Sequence, residues 1–401
     1  MKSNYLIKIV TDTMLEIISS VFSRYFRILS KRRRVVLVHF ASASIGRLLP
    51  EMEEFFAETP YMEKVKIYGY FDKAKANKLA TSFIKTKIKI LPNPIMARVF
   101  LKIGQTNYQL TNLLLYIHSQ GHFYPFSMYS TNEIKKEFWQ FLQEKSTQYP
   151  SMRPPSKPYV VLCVREPTDP EINDNLRNSS PSTFVPIVDF LAANDLNCIR
   201  MSRNAKFQMY PKTSDFVDYP FTDFKYDFAD FALFKNAEFC ISTGFGVDHF
   251  ASFFGKPVLL INAPLMATYL RQERRYLLPK VFVDKFSKRI LSIEEILTHG
   301  LHLIEKDNEL DSLGIMLMDN SPQIMIRALR EFCEKGYFLS TNESTRSTGE
   351  AKRIGMSRFE YHKAKFLSKQ LIHEKNFNLE DLIYISPYWP NITSANKKMV
   401  Y

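Results

Sequence analysis

The sequence predicts an α/β protein with two domains, each built on a parallel sheet, and three observations carry that reading. Near-continuous apolar runs such as VVLVHFA (35–41) and YVVLCVR (159–165) have the composition of parallel strands covered on both faces. These runs alternate with segments of helical character, which implies right-handed crossovers between neighbouring strands. The proline-rich run YPSMRPPSKP (149–158) can continue neither a helix nor a central strand, so it divides the chain. At 401 residues the chain also exceeds one ordinary core.

In the first half, VVLVHFA leads into the loop SASIGR and a helical stretch to about Glu58, with Pro50 near its start. VKIYGYF (65–71) and KIKIL (87–91) read as further strands around the helical DKAKANKLATSFI, and residues 95–145 read as mostly helical. In the second half, YVVLCVR is followed by a polar loop, a helix from about Thr183 to Asn194 and the strand LNCIRM (196–201). A short FVDYP strand, a helix at 227–236 and the strand EFCIS (238–242) come next. A glycine turn, a helix to Phe254, the strand KPVLLI (256–261) and helices near 293–306 and 322–334 complete the block.

The ends of the chain differ from this pattern. Charged Lys8, Asp12, Glu16, Arg24 and Arg27 interrupt the apolar residues of 5–29, so no uncharged membrane span is expected there. Ile9, Ile17, Val21 and Ile28 recur near helical spacing ahead of Lys31, Arg32, Arg33 and Arg34. Residues 1–34 therefore read as an amphipathic helix with a basic cluster, packed on the first domain or lying on an anionic membrane surface. Residues 336–401 read as a polar, lysine-rich C-terminal extension with one apolar segment, LEDLIYISPYW.

Composition narrows the partners. The chain is 45% hydrophobic and 24% charged, as folded proteins are. Its formal charge of +13 favours anionic partners. The basic residues are spread along the chain rather than clustered among aromatics, so nucleic acid is not the expected partner. Cys163, Cys198, Cys240 and Cys333 form no C-x-x-C pair and read as reduced core thiols, consistent with a cytoplasmic protein.

The segment ISTGFGVDHFASFFGKPVLLIN (241–262) carries the sharpest chemistry. A buried strand ends at Ser242 and Thr243, and Gly244 and Gly246 permit a tight turn. A helix beginning near Val247 would aim free amide groups at an anion. Asp248 would then meet ribose or sugar hydroxyls, or act only as a favourable charge near the helix start. Arg165, Arg200 and Arg203 stand at two neighbouring strand ends and either meet phosphates or cap their own surfaces. A diphosphate at the carboxyl edge of the sheet is the expectation.

The runs VREP…LRNSSPSTFVPIVDFLAANDLNCIRMSR and DFADFALFKNAEFCISTGFGVDHFASFFGKPVLLIN resemble a group of bacterial surface-carbohydrate glycosyltransferases of the GT-B type. The resemblance covers 159–265 and extends towards Pro322, and ISPYWPNITSAN (385–396) resembles that group's ending. It implies a GT-B-like α/β fold of two facing Rossmann-like domains, with an acceptor domain at 35–150 and a nucleotide-sugar donor domain at 151–335. Arg165 and Arg203 would meet phosphates, Thr243, Gly244 and Gly246 would form the donor loop, and Asp248 would meet the sugar or ribose. Here Arg165-Glu166 stands where the group has arginine and aspartate after a histidine, and Cys163 replaces that histidine.

The implied activity is sugar transfer from a nucleotide-sugar to a glycan or lipid-linked acceptor, with no cofactor beyond that co-substrate. Ser42, Ser44, Gly46 and Arg47 are the acceptor-side residues. His39 is a candidate general base, or a satisfied core histidine. No D-x-D motif is present and His118 and His122 lack a nearby acidic partner, so no metal site is expected. The expected location is the cytoplasm, peripheral at the inner face of the cell membrane. A sugar-nucleotide epimerase of the same two-domain frame, or a non-catalytic carbohydrate or membrane adaptor, are the alternative readings.

Overall fold

A computed structural model describes residues 35–40, 42–58, 66–71, 76–90, 115–116, 132–149, 155, 157–167, 176–202, 205–244, 246–264, 275–304, 306–334 and 384–385. The expected helix and basic cluster at 1–34, and all of the expected extension at 336–401 except 384–385, lie outside these residues. The chain divides into two compact units, Met1–Glu144 and Lys145–Tyr401.

The first unit holds β1 (Val35–Phe40), β2 (Lys66–Phe71), β3 (Lys89–Ile90) and β4 (Leu115–Tyr116) in the order β3-β2-β1-β4, all parallel. The first helix, α1 (Ile45–Glu58), includes Pro50, which has no N–H to offer the carbonyl of Gly46. The next, α2 (Lys78–Lys87), starts at Asn77, whose side-chain oxygen accepts from the Ala80 N–H at 3.0 Å. Its buried stripe of Leu79, Ala80, Phe83 and Ile84 follows the helical period. Phe83 packs edge-on against Phe138 of α3 (Asn132–Ser146), with centroids 4.8 Å apart. The run KIKIL is strand only at β3, because the α2 helix carries on through Lys87.

The second unit contains β5 (Tyr159–Cys163), β6 (Asn197–Arg200), β7 (Phe216–Asp218), β8 (Cys240–Ser242), β9 (Val258–Ala263) and β10 (Arg275–Pro279). An antiparallel pair follows, β11 (Val281–Asp284) with β12 (Ile315–Met318), and then β13 (Tyr384–Ile385). The main sheet has the order β13-β10-β9-β8-β5-β6-β7 and is parallel throughout. Every residue of β5 and of β9 is buried, which explains their unbroken apolar composition. Cys163, Cys198 and Cys240 are fully buried, and that burial pushes the thiols of Cys163 and Cys198 up, so neither is readily ionised.

Helices α4 (Val185–Ala192), α5 (Asp227–Asn236), α6 (His249–Phe253), α7 (Ile293–Thr298), α8 (Asp307–Ser312) and α9 (Pro322–Glu334) complete this unit. The pattern in sequence finds α5 and α9 at their observed ends, but it misses β10, β11 and β12. Each unit is α/β and Rossmann-like by its own strand order, 3-2-1-4 in the first and 3-2-1-4-5-6 within the second. Among the described residues, no helix is long and apolar enough to cross a membrane.

Candidate functional site

In the second unit the chain runs from β5 outward through β6 to β7, then returns to place β8 on the other side of β5. This reversal is the topological switch point, where open parallel sheets bind ligands beyond their carboxyl ends. Arg165, two residues past β5, donates its backbone N–H to the Thr243 hydroxyl at 3.0 Å. Thr243, just past β8, donates its own N–H to the carbonyl of Cys163 at 3.0 Å. Two of the predicted site residues therefore lock the two strand ends together. By contrast, a shallow depression bounded by Asp189, Lys212 and Thr213 opens near the amino end of β7, the wrong end for such a site.

The glycine turn then closes on itself. Gly244 has a φ of 82°, which its lack of a Cβ allows. Its N–H donates to the Ser242 hydroxyl at 3.0 Å, and that hydroxyl donates to Asp248 Oδ2 at 2.9 Å. Ser242, Thr243 and Asp248 are buried. Residues Gly246–Asp248 form a 3-10 turn that runs directly into α6, so a helical run starts close to the expected Val247. Asp248, read as the acid that meets sugar or ribose, is 1% exposed and already bonded to Ser242. At the other end of α6 the expected stop is present. Gly255 at φ 67° and Lys256 donate their N–H groups to the carbonyls of Ser252 and Ala251 at 3.0 and 2.9 Å.

The three arginines separate. Arg203 lies outside the described residues. Arg200 is fully buried, and its guanidinium is held by two carboxylates and a carbonyl. One terminal nitrogen donates to both oxygens of Asp218 at 3.1 and 3.2 Å and to the Phe207 carbonyl at 2.7 Å, while the other pairs with Glu166. Glu166 also accepts from the N–H groups of Lys206 and Phe207, and Asp218 from that of Met209. Burial pushes the Asp218 carboxyl up, against the Met209 N–H and Arg200, which lower it. Arg200 is thus a structural clamp on the segment after β6, which corrects its expected place on a phosphate.

Arg165 is different: it is only half-buried, and its Nε donates to Asn178 Oδ1 at 3.1 Å. Its carbonyl accepts from the Ser179 N–H at 2.9 Å. Beside it is a group that the sequence pattern did not reveal. Lys280, 4% exposed just past β10, donates to the Asn178 carbonyl at 2.5 Å and pairs with Asp319 Oδ1 at 2.8 Å. Asp319 also accepts from the Ser179 hydroxyl at 3.1 Å. Asn320 continues this edge, donating its N–H and side-chain amide to Asn262 Oδ1, each at 2.8 Å. The only visible signal in sequence was a lysine set between LLP and VFV.

In the first unit, the switch point lies between β1 and β4, and the loop 42–44 leaves β1 there. His39 stands opposite Tyr70 in the β1–β2 register. Ser42 is buried, and its carbonyl accepts from the Ala76 N–H at 2.6 Å. Ser44 is exposed just ahead of α1, and Gly46 and Arg47 fall in that helix's first turn. His118 and His122 lie outside the described residues, among which no group of three or more His, Cys, Asp or Glu is placed to hold a metal ion.

No protein-family model matches the sequence, and no curated protein matches it either. Among solved structures, the chain is similar to the iron-containing dodecameric glycosyltransferase TibC of enterotoxigenic E. coli H10407, at 13% identity and a TM-score of 0.32, over 57% of this chain and 58% of that one. It is similar to the E. coli ADP-heptose lipopolysaccharide heptosyltransferase II at 11% identity and a TM-score of 0.35, over 56% and 83%. A glycosyl transferase family 9 protein of Veillonella parvula DSM 2008 gives 11% and 0.30, over 57% and 80%. The chain thus spans less than two thirds of the length of TibC. These structures are glycosyltransferases, and the α/β, Rossmann-like character of each unit here stands on its own strand order.

Proposed function

We propose that this chain is a glycosyltransferase of GT-B type, moving a sugar from a nucleotide-sugar to a glycan or lipid-linked acceptor. The observation that supports the reading is the switch point of the second unit, where Arg165 is bonded to Thr243 beside Gly244 at φ 82°. A departing nucleoside diphosphate gains negative charge as the glycosidic bond breaks. A planar guanidinium fixed at a strand end is suited to meet that charge, with a gain realised mainly in the transition state. On this reading the reaction needs no metal ion, and Ser242 and Asp248 shape the turn rather than touch the sugar. In the first unit, His39 is the proposed general base, with Ser44, Gly46 and Arg47 on the acceptor side.

The test is a thermal-shift and calorimetry screen of the full chain against ADP-, UDP-, GDP-, CMP- and TDP-sugars, since a ligand that binds the native state raises its melting point. Arg165→Ala should keep the fold and lose the shift. Unchanged affinity in that variant would remove the assignment. Turnover of donor without acceptor would instead indicate an epimerase.

A further inference from the structure

Arg165 does not set its own direction. Its guanidinium is planar and rigid, so donation from Nε to Asn178 Oδ1 at 3.1 Å fixes the plane in which the group lies. Residue 178 is itself held through its backbone carbonyl. The Lys280 Nζ, 102 residues away in sequence, donates to the Asn178 carbonyl at 2.5 Å. The neighbouring Ser179 is bracketed as well: its N–H bonds the Arg165 carbonyl, and its hydroxyl donates to Asp319, the ion-pair partner of Lys280. Lys280 in turn is tied to the sheet, its own N–H donating to the Ala263 carbonyl at the end of β9 at 3.0 Å.

A lysine that is 4% exposed between two apolar strands is expensive to bury. Buried ion pairs often contribute no more stability than apolar side chains of the same shape. What this pair adds is geometry, since it links the ends of β10 and β12 to the segment that steers the arginine after β5. We propose that Lys280, together with Asp319, is a positioning residue that holds Arg165 in its anion-binding orientation through Asn178. This rests on the reading of the switch point as a diphosphate site.

The experiment is calorimetry of the full chain with ADP, UDP, GDP and TDP. Wild type binds at least one of them, and Lys280→Met weakens that binding about tenfold, within the range of coupling between residues in one network. Lys280→Arg restores part of the loss. Asn178→Ala leaves the Lys280–Asp319 pair in place and gives the same loss, and its effect does not add to that of Lys280→Met. In an Arg165→Lys background, which keeps weakened binding, neither substitution costs anything further. That last outcome separates positioning from a general loosening of the fold. Wild-type affinity in Lys280→Met, or the same tenfold loss in the Arg165→Lys background, overturns the inference and leaves the diphosphate reading standing. Should Lys280→Met fail to fold, Asp319→Asn takes its place with the same expected loss and the same refuting result. If wild type binds none of the four nucleotides, the diphosphate reading falls and the role of Lys280 falls with it.

Discussion

Arg200→Met gives the sharpest test of how the two arginines at neighbouring strand ends differ. The substitution keeps much of the side-chain volume and removes the charge. In the native protein the Arg200 side chain is 0% exposed, against 3% for Glu166 and 6% for Asp218. Removing it leaves two carboxylates with no cation in contact among the described residues. Breaking a buried pair from one side costs about 3–5 kcal/mol. Two carboxylates do not double that figure here, because Glu166 keeps the N–H groups of Lys206 and Phe207, and Asp218 keeps that of Met209. A loss of about 4 kcal/mol is therefore expected at pH 7, a large part of the ~5–15 kcal/mol that holds a domain together.

Urea unfolding followed by circular dichroism measures it, in the transition that belongs to the second unit. Burial already holds the Asp218 carboxyl above its ordinary value, and loss of Arg200 raises it further. A raised carboxyl favours folding at low pH and loses that advantage as pH rises, so the defect should shrink as pH falls from 7 towards 5. The triple variant Arg200→Met, Glu166→Gln, Asp218→Asn should recover much of the loss. A defect below about 1 kcal/mol, independent of pH, would show that the guanidinium faces water and would refute the clamp.

Other substitutions and conditions probe other parts of the molecule. His302 is 8% exposed and burial pushes it down to about 4, so it folds neutral; its stability contribution is complete above pH 6.5 and is lost as pH falls from 6.5 to 4. That separation corresponds to roughly 3 kcal/mol, and His302→Asn should flatten the pH dependence of urea unfolding across the same window. Gly244→Ala forces a Cβ into a left-handed angle and should lower stability by about 1–2 kcal/mol, read as a fall in melting temperature. Deleting residues 1–34 should release the protein from anionic liposomes at low salt, and persistent co-sedimentation would refute a membrane role for that segment.

The contrast between Arg165 and Arg200 also shows what sequence can and cannot carry. Both close apolar runs, and local pattern treats them alike. What separates them is the arrival of Glu166 and Asp218, 34 and 18 residues from Arg200, which only the parallel register of β5, β6 and β7 brings together. The strands β5 and β9 were legible because burial on both faces leaves an unbroken apolar signature. Strands β10 and β11 were not, since Pro279 and Lys280 interrupt the run at the point where the chain leaves one sheet for another. The link from Lys280 to Asn178 and from Asp319 to Ser179 spans 102 and 140 residues, and no periodicity records such a meeting. In the glycine turn the strand end and the helix start were legible, and the Ser242–Asp248 bond that joins them was not.

The pairing of β13 on β10 has a consequence for how the chain is made. Tyr384 and Ile385 join a strand that leaves the ribosome about 100 residues earlier, and closing so long a loop is slow although its equilibrium cost grows only gently with length. During synthesis β10 therefore waits as the outermost strand of a nascent sheet, with one row of backbone groups open to any extended segment that passes. A nonsense mutation upstream of Tyr384 would make that temporary state permanent, and the truncated product would be expected in inclusion bodies rather than in the supernatant.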